Sequence, residues 1–341
     1  VELDAPHLSH RSQPPGEAVK VAAEAPTGTS STSAAELAAF PPVSAVVPTH
    51  RRPELMHAAV QSIVDQDYQG PIEIIVVFDA CPPELPEVDL GPNRTLRAVV
   101  NERVRGLAGA RNSGILSASH DFIAFLDDDD TWMPRKLTAQ MQLFERRPDL
   151  RLVGSAMQVD DGHTTHERLV PSGVVTRADL LRDRLAGLHS SSFVFRRSAL
   201  IDEIGMIDEQ LPGAYGEDYD VLLRTTELAP IELVNEPLVS VRWQGQSYYF
   251  GRWAEYAEAL TYMLAKHEDI ANDPKALARI KSQIAFGLAA SGGGRRSRQV
   301  ARQVLRRDPT QLRAWLALAI SWRLITADTV GRIANRLGKG I

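Results

Sequence analysis

The part of this sequence that most constrains the fold is a short apolar run that ends in four consecutive aspartates. Residues 123–126 are Ile, Ala, Phe and Leu, and residues 127–130 are all Asp. A short, bounded apolar run indicates a buried strand, and open α/β sheets bind ligands at the carboxyl ends of their strands. Pro134 follows at a position suited to the first turn of a helix. The stretch therefore predicts an α/β fold with an acidic site at a strand end.

The four adjacent carboxylates need a source of positive charge. Side by side they raise one another's pKa values unless a cation screens them. Mg²⁺, or Mn²⁺ in its place, is the natural partner because hard divalent ions prefer oxygen ligands. A charge run is also often only a solvated loop, and a helix that begins just downstream would favour negative charge without a metal. The apolar strand that leads into the run favours the metal site, because a solvated loop would not need that strand.

The composition sets limits on partners and location. The chain of 341 residues carries a formal net charge of -5, which argues against nucleic acid as a partner, since phosphate backbones require a basic surface. Its single cysteine, Cys81, excludes an intramolecular disulfide and fits a reducing compartment. The sequence shows no apolar stretch as long as a transmembrane helix and no signal peptide. We therefore expect a cytoplasmic protein, and attachment to the inner face of the membrane stays open.

The chain divides into three parts. Residues 1–41 are rich in Pro, Ala, Ser and Thr and have few large apolar residues, so they predict a disordered tail. Residues 42–250 alternate strand-like and helix-like patterns, which predicts an α/β domain whose central sheet is mainly parallel at first and mixed later. Residues 251–341 predict a helical C-terminal region. Whether that region forms a homodimer, touches a membrane as a peripheral contact or binds another partner stays open.

The expected elements follow from short β-branched or apolar runs and from breaks at Gly and Pro. The predicted strands span residues 43–47, 72–78, 96–100, 122–126, 151–159, 190–196, 231–234 and 238–242. The predicted helices within the α/β domain begin at Pro53, Gly106, Pro134 and Glu217. Residues 160–168 are predicted to form a polar loop, and residues 205–216 a loop that could cover a substrate.

Three further charged groups stand near predicted strand ends or helix starts. Asp79 directly follows the second strand, where it could accept hydrogen bonds from a base or ribose or could merely form a turn before the prolines. Glu217 and Asp218 stand at a helix start, where they could stabilise the helix dipole or, as a general base, take a proton from an incoming hydroxyl. Arg111 could meet a phosphate or could pair with acidic residues and lock the sheet edge. The residues alone leave both interpretations of each group open.

Five segments in this order resemble glycosyltransferase family 2. They are Val-Pro-Thr-His-Arg-Arg-Pro at residues 47–53, Val-Val-Phe-Asp at 76–79, Arg-Gly-Leu-Ala-Gly-Ala-Arg-Asn-Ser-Gly at 105–114, Phe-Leu-Asp-Asp-Asp-Asp at 125–130 and Gly-Glu-Asp-Tyr-Asp at 216–220. The resemblance covers about residues 43–245 and implies a GT-A fold with a mixed central sheet. It also implies an inverting transfer of a sugar from a nucleotide diphosphate, with Mg²⁺ or Mn²⁺ as cofactor.

The resemblance also implies roles for individual residues. Its donor-binding residues come from the first loop, the second strand end, the third segment and the acidic run: Pro48, Thr49, Arg51, Asp79, Arg111, Asp127 and Asp128. It implies Asp129 as the direct metal ligand, with Asp127 as a second. Asp218 matches the catalytic base, and its neighbour Glu217 is assigned to the catalytic pair. Phe78 departs from the family, in which an acidic residue is common at that position, so nucleotide contacts there rest on Asp79.

The predicted function is an inverting, metal-dependent glycosyltransferase that moves a sugar from a UDP- or other nucleotide-diphosphate donor to an acceptor hydroxyl. The sequence does not identify the acceptor. No Gln-x-x-Arg-Trp motif follows the acidic helix, which argues for a non-processive enzyme. Two alternatives stay open. One is a sugar nucleotidyltransferase, although its usual glycine-rich loop is missing after the first strand, and the other is a non-catalytic module that binds a sugar nucleotide.

Overall fold

The computed structural model describes residues 40–243 and 251–336 of the chain. The predicted disordered tail, residues 1–41, lies outside the described residues except for its last two. Within the described ranges, a ten-stranded mixed sheet is followed by a series of helices. This arrangement confirms the predicted α/β class with a mixed central sheet and a helical C-terminal region.

The strands of this sheet vary from two to twelve residues in length. They are β1 Val43–Thr49, β2 Ile72–Phe78, β3 Arg94–Val100, β4 Phe122–Phe125, β5 Thr131–Trp132, β6 Leu152–Asp160, β7 Thr165–Arg168, β8 Val174–Val175, β9 Val194–Arg196 and β10 Ile231–Arg242. The sheet order is β3-β2-β1-β4-β9-β6-β10-β5, with β7 beside β6 and β8 beside β10. Strands β1 to β4 are mutually parallel, whereas β9 runs antiparallel to both β4 and β6. The four parallel strands therefore end at one edge of the sheet.

The helices cover the sheet and then continue beyond it. They are α1 Pro53–Val64, α2 Leu107–Ser117, α3 Lys136–Arg146, α4 Arg177–Arg182, α5 Glu217–Leu228, α6 Trp253–Lys266, α7 Glu268–Asn272, α8 Pro274–Ala290, α9 Gly294–Arg307, α10 Leu312–Ser321 and α11 Ala327–Arg336. In the part of the chain that the structure describes, none of them combines the length and the apolar character that crossing a membrane requires.

Strands β1 and β2 are buried along their whole length, as parallel strands covered on both faces should be. Successive residues of a strand point to opposite faces, and accordingly Val46 lies in one apolar core and Val47 in the other. Gly114 lets α2 pack closely on β1, because a Cβ at that position would lie 2.2 Å from Val46 Cγ1. The helix that carries Arg111 is thereby fixed against the central strand.

Three predicted elements of the α/β domain differ from the observed ones by more than two residues at an end. Residues 165–168, predicted as part of a polar loop, form β7 because they pair with β6. The two predicted strands at 231–234 and 238–242 form the single strand β10, whose register shifts around Pro237, since proline cannot donate to the ladder. Residues 190–192 form a 3₁₀ turn rather than the start of a strand, and the ring of His189 accepts a hydrogen bond from the backbone of that turn.

The C-terminal helices pack against α5 through a buried carboxylate. Asp220 is 0% exposed, and Arg224, Lys266 and His267 all contact it, with Lys266 Nζ 2.8 Å and His267 Nε2 2.9 Å from Asp220 Oδ1. Burial alone would raise the pKa of Asp220, but the hydrogen bond with His267 and the two cationic side chains outweigh burial and hold the pKa well below its usual range. The helical region is therefore tied to the helix that bears the predicted base.

We expect Asp220→Asn to lower the free energy of unfolding at pH 7 by about 3–5 kcal/mol, because removing one partner from a buried ion-pair network leaves uncompensated charge. The pKa of Asp220 is lowered by folding, so its contribution is present above the unfolded pKa of about 3.9 and is lost as the pH falls below that value. Urea titrations at pH 7, 4 and 3 should show the difference between wild type and variant shrinking with acidification. Asp149→Asn, which removes an exposed carboxylate 3.0 Å from Arg147, should change little. A difference that is the same at pH 7 and pH 3 would contradict this assignment.

Candidate active site

The carboxyl ends of β1, β2 and β4 carry three of the residues predicted to form the site. Thr49 is the last residue of β1, Asp79 directly follows β2, and Asp127 lies two residues after β4. A backbone hydrogen bond joins the ends of β1 and β2, in which Asp79 N donates to Thr49 O at 3.0 Å. These side chains therefore lie at the edge where an open α/β sheet binds its ligands.

A buried arginine joins the acidic run to the second acidic motif. Arg111 is 1% exposed. Its Nη2 donates to Asp127 Oδ1 at 2.5 Å and to Ser190 Oγ at 2.9 Å, and its Nη1 donates to Glu217 Oε1 at 2.6 Å. Burial would lower the pKa of Arg111, but the two carboxylates outweigh burial and raise it, so the guanidinium stays charged. Asp127 and the first turn of α5, far apart in sequence, therefore border the same site.

The middle two aspartates of the run face the loop after β1. Thr49 Oγ1 donates to Asp128 Oδ2 at 2.8 Å, and Arg52 Nη1 donates to Asp128 Oδ1 at 3.1 Å and to Asp129 Oδ2 at 2.8 Å. Burial raises the pKa of Asp128 to about 6 in spite of these partners. Burial and the nearby Asp127 also raise the pKa of Asp129. Thr49 and Arg52 thus hold the acidic run against the end of the central strand.

Asp127, Asp130 and His189 form a candidate metal site. Within residues 40–243 and 251–336, no other group of three His, Cys, Asp or Glu side chains has ligand atoms close enough together to hold an ion. One ligand atom from each lies within 4.8 Å of the other two, and His189 Nδ1 is 3.4 Å from Asp130 Oδ2. Burial raises the pKa of Asp130 to about 7. The group includes Asp127, which the sequence predicted as a ligand, but not Asp129, whose carboxylate pairs with Arg52.

Asp218, the predicted base, lies in the first turn of α5. This helix begins after Gly216, whose φ of 79° lies in the left-handed region that glycine tolerates. Arg184 Nη2 donates to Asp218 Oδ2 at 2.6 Å, and Tyr219 N donates to Asp218 Oδ1 at 2.7 Å. Burial would raise the pKa of Asp218, but the Arg184 guanidinium outweighs burial and lowers it. The pKa of Glu217 is raised instead, by burial and by the adjacent Asp218. These surroundings therefore favour the ionised form of Asp218 more than that of Glu217, and an ionised Asp218 can accept a proton.

Asp79 organises the loops beside this site. Asn101 Nδ2 donates to Asp79 Oδ1 at 2.7 Å, and Gly106 N donates to Asp79 Oδ2 at 3.0 Å. His50 Nδ1 lies 2.5 Å from the backbone oxygen of Asp79. The carboxylate thus links the end of β2 to Asn101, which follows β3, and to the start of α2, while the backbone of Asp79 contacts the end of β1 and the loop after it.

The remaining predicted residues differ in their access to the site. Pro48 is buried within β1. Arg51 is exposed, has a φ of 55°, and makes no hydrogen bond or ion pair with the residues that the structure describes. Arg111, predicted on the donor side, pairs with Asp127 and Glu217. The donor, metal and base roles of these residues stay predictions.

Four residues of the site were not predicted from the sequence. Asn101 directly follows β3 in the way that Asp79 follows β2, and the same strand-end signal could have identified it. Arg52 lies within the first quoted segment, next to Arg51. His189 and Arg184 belong to the segment between α4 and the 3₁₀ turn at 190–192, which shows no periodicity, and no sequence signal indicates them.

Comparison with known proteins agrees with this geometry. Residues 44–203 match the family described as Glycosyl transferase family 2. An uncharacterized glycosyltransferase of Haemophilus influenzae is 28% identical over 203 residues, which is 58% of this chain and 66% of that protein. The Escherichia coli UDP-Glc:alpha-D-GlcNAc-diphosphoundecaprenol beta-1,3-glucosyltransferase WfgD is 31% identical over 101 residues, which is 30% of this chain and 40% of that protein. The chain therefore spans less than two thirds of the length of these curated relatives.

A solved structure shows the same fold. The crystal structure of S. aureus TarS 1-349 in complex with UDP-GlcNAc has a TM-score of 0.54 at 17% identity and covers 87% of this chain and 92% of that one. This likeness speaks for the fold, which is the GT-A fold that the five sequence segments implied. The matched region, the relatives and the fold agree, and residues 44–203 of the chain form a glycosyltransferase family 2 domain.

Proposed function

We propose that the chain is a metal-dependent, inverting glycosyltransferase that moves a sugar from a nucleotide-diphosphate donor to an acceptor hydroxyl. The observation that carries this proposal is the bridge that Arg111 forms between Asp127 and Glu217. The bridge joins the strand-end carboxylates, which suit a metal and a diphosphate, to the helix start that carries Asp218, which suits a base. A donor and an acceptor could therefore meet between the two groups.

The residues at the strand end fit a divalent cation. Asp127, Asp130 and His189 offer two carboxylate oxygens and an imidazole nitrogen within 4.8 Å of one another, a set of ligands compatible with Mg²⁺ and still more with Mn²⁺. When bound, such an ion would neutralise the diphosphate as it leaves. Ser190 donates to Asp127 at 3.2 Å and Ser191 donates to Asp130 at 2.6 Å. These hydroxyls orient both carboxylates, as outer partners of metal ligands commonly do.

Asp218 would act as the general base. Arg184 keeps it ionised, so it could take the proton of the acceptor hydroxyl, which then attacks the anomeric carbon on the face opposite the leaving diphosphate. A single displacement of this kind inverts the anomeric configuration. Glu217 is held by the buried Arg111, whereas the side chain of Arg184 is 56% exposed and could turn aside when an acceptor enters. This difference favours Asp218 over Glu217 as the group that reacts.

The relatives support a UDP-sugar as the donor. The name of WfgD gives UDP-Glc as its donor and a GlcNAc linked through a diphosphate to undecaprenol as its acceptor, and TarS was crystallised with UDP-GlcNAc. In this chain, Thr49 and Asp79 border the sheet edge at which a nucleotide would lie. A lipid-linked or otherwise diphosphate-bearing acceptor is therefore a reasonable first choice for assays.

The proposal predicts donor turnover that depends on a metal. UDP-sugars incubated with the protein and Mn²⁺ should release UDP, release should stop in EDTA, and a transferred sugar should show the inverted anomeric configuration by proton NMR. A product with the donor's configuration would contradict the mechanism. Release of pyrophosphate from a nucleoside triphosphate and a sugar phosphate would support the nucleotidyltransferase instead, and tight donor binding without turnover would support a binding module.

A further inference from the structure

The C-terminal helices bring cationic side chains to the neighbourhood of Asp218. Helix α8 packs against α4, α6 and α10. From α8, Arg279 Nη2 donates to the hydroxyl of Tyr219, the residue after Asp218, at 2.9 Å. From the segment after α4, Arg184 Nη2 reaches Asp218 itself at 2.6 Å. One guanidinium group therefore contacts the proposed base, and a second, from another part of the chain, contacts the residue next to it.

A third guanidinium and a tyrosine complete this cluster. The hydroxyl of Tyr256, on α6, lies within electrostatic range of Arg313 on α10, of Arg184 and of Arg279. The Tyr256 ring packs edge-on against Tyr215, with centroids 5.6 Å apart. Burial raises the pKa of Tyr256 and exceeds the opposite effect of the three cations. Arg184, Arg279, Arg313 and Tyr256 are called the arginine cluster below.

The arginine cluster holds more positive charge than its neighbours neutralise. Arg184 has Asp218 as its counter-charge. Arg279 makes its hydrogen bonds to Tyr219 and to the backbone oxygens of Leu180 and Leu181, and its buried Nε has no partner. Among residues 40–243 and 251–336, no carboxylate forms an ion pair with Arg279 or Arg313. Arg279 and Arg313, two cations with no ion-pair partner close to Tyr219 and Tyr256, suit an anionic ligand, because phosphate groups pair well with guanidinium groups.

We propose that the arginine cluster is an acceptor subsite that binds a diphosphate attached to the sugar that receives the transfer. The role of this ligand as an acceptor rests on the proposed function, since it depends on Asp218 being the base. The diphosphate could come from a lipid-linked sugar or from a soluble one. Leu312 and Trp315, 68% and 52% exposed on the same helix as Arg313, offer apolar surface on which a lipid chain could lie.

The test is calorimetric and uses the full chain in EDTA, so that metal-dependent donor binding is silent. Decyl diphosphate and inorganic pyrophosphate are titrated into the wild type, Arg313→Gln and the control Arg302→Gln, whose side chain is exposed on α9. Arg313→Gln should bind decyl diphosphate about tenfold more weakly or worse, because hydrogen bonds to a charged group are lost. Arg302→Gln should bind it as the wild type does, and equal melting temperatures would establish that all three proteins are folded.

The outcomes test two questions separately: whether the subsite exists, and whether its ligand is lipid-linked or soluble. If the wild type binds neither compound, or if Arg313→Gln binds them as well as the wild type does, the subsite is overturned. If decyl diphosphate binds more tightly than pyrophosphate and Trp315→Ser removes that difference, the acceptor is lipid-linked. If the two compounds bind the wild type equally and Arg313→Gln weakens both, the subsite stands and takes a soluble acceptor. None of these measurements needs sugar transfer, so a chain that binds diphosphate but transfers nothing would contradict only the proposed function.

Discussion

Asp218→Asn is expected to lower the turnover of sugar transfer by about 10²–10⁴-fold, the range that a positioned general base contributes, while donor affinity changes little. The asparagine keeps the size and shape of the side chain, and its oxygen can still accept the hydrogen bond that Tyr219 N now donates to Oδ1 at 2.7 Å. It cannot take a proton from the acceptor hydroxyl. The substitution should therefore slow the chemical step and leave the structure of α5 unchanged.

The measurement compares turnover with donor binding in the same preparation. Turnover and KM for each substrate come from steady-state kinetics, and UDP affinity in the presence of Mn²⁺ comes from calorimetry. Glu227→Gln is the matched control, because it makes the same carboxylate-to-amide change on the same helix at a side chain that is 53% exposed and 2.9 Å from Arg177. This control should transfer sugar at the wild-type rate.

Two results would remove Asp218 from its proposed role. Undiminished transfer by Asp218→Asn would reject it as the base. Loss of donor binding together with transfer would instead make it part of the donor site. Should Glu217→Gln abolish turnover while Asp218→Asn does not, the base would be the other member of the pair, although Glu217→Gln also breaks the buried contact with Arg111.

The parallel half of the sheet could be predicted from sequence because burial on both faces leaves a plain signal. Strand β2 is a run of seven buried residues, and its predicted bounds of 72–78 are those observed. The later strands were harder, because they are short or interrupted. Residues 165–168 are polar and become a strand only through pairing with β6, and Pro237 makes one strand look like two. Pairing of this kind depends on the rest of the fold and leaves no local pattern.

The acidic residues of the site could likewise be predicted, but their partners could not. Asp127 and Asp218 stand next to recognisable strand and helix boundaries, so position in the chain indicates their role. His189 and Arg184 reach the site through an irregular segment, and only three-dimensional packing brings them within 3.4 Å of Asp130 and 2.6 Å of Asp218. Sequence reasoning also favoured Asp129 as a metal ligand, whereas the structure places its carboxylate against Arg52. This difference can be tested directly.

Asp127→Asn is expected to weaken Mn²⁺ binding and to lower metal-dependent turnover by about 10²-fold or more, because a charged ligand is lost and the charge of Arg111 is left with one carboxylate fewer. Asp127 belongs both to the pair predicted from the sequence and to the group of three in the structure. Its removal should therefore have the largest effect of any substitution in the acidic run. Calorimetric titration of Mn²⁺ with UDP present, followed by turnover at saturating donor, measures both losses.

Substitutions of the other candidate ligands decide where the ion binds. If the group in the structure holds it, Asp130→Asn and His189→Gln should each weaken Mn²⁺ binding more than Asp129→Asn, since Asp129 lies 2.8 Å from Arg52 and would have to leave that partner. A larger loss in Asp129→Asn would place the ion on Asp127 and Asp129, and it would mean that donor binding releases the contact with Arg52.

Asp121→Asn is the matched control, because Asp121 is an exposed aspartate just before β4, at the opposite end of the strand from the acidic run. Mn²⁺ binding that survives in Asp127→Asn would contradict both arrangements, because each of them requires that carboxylate.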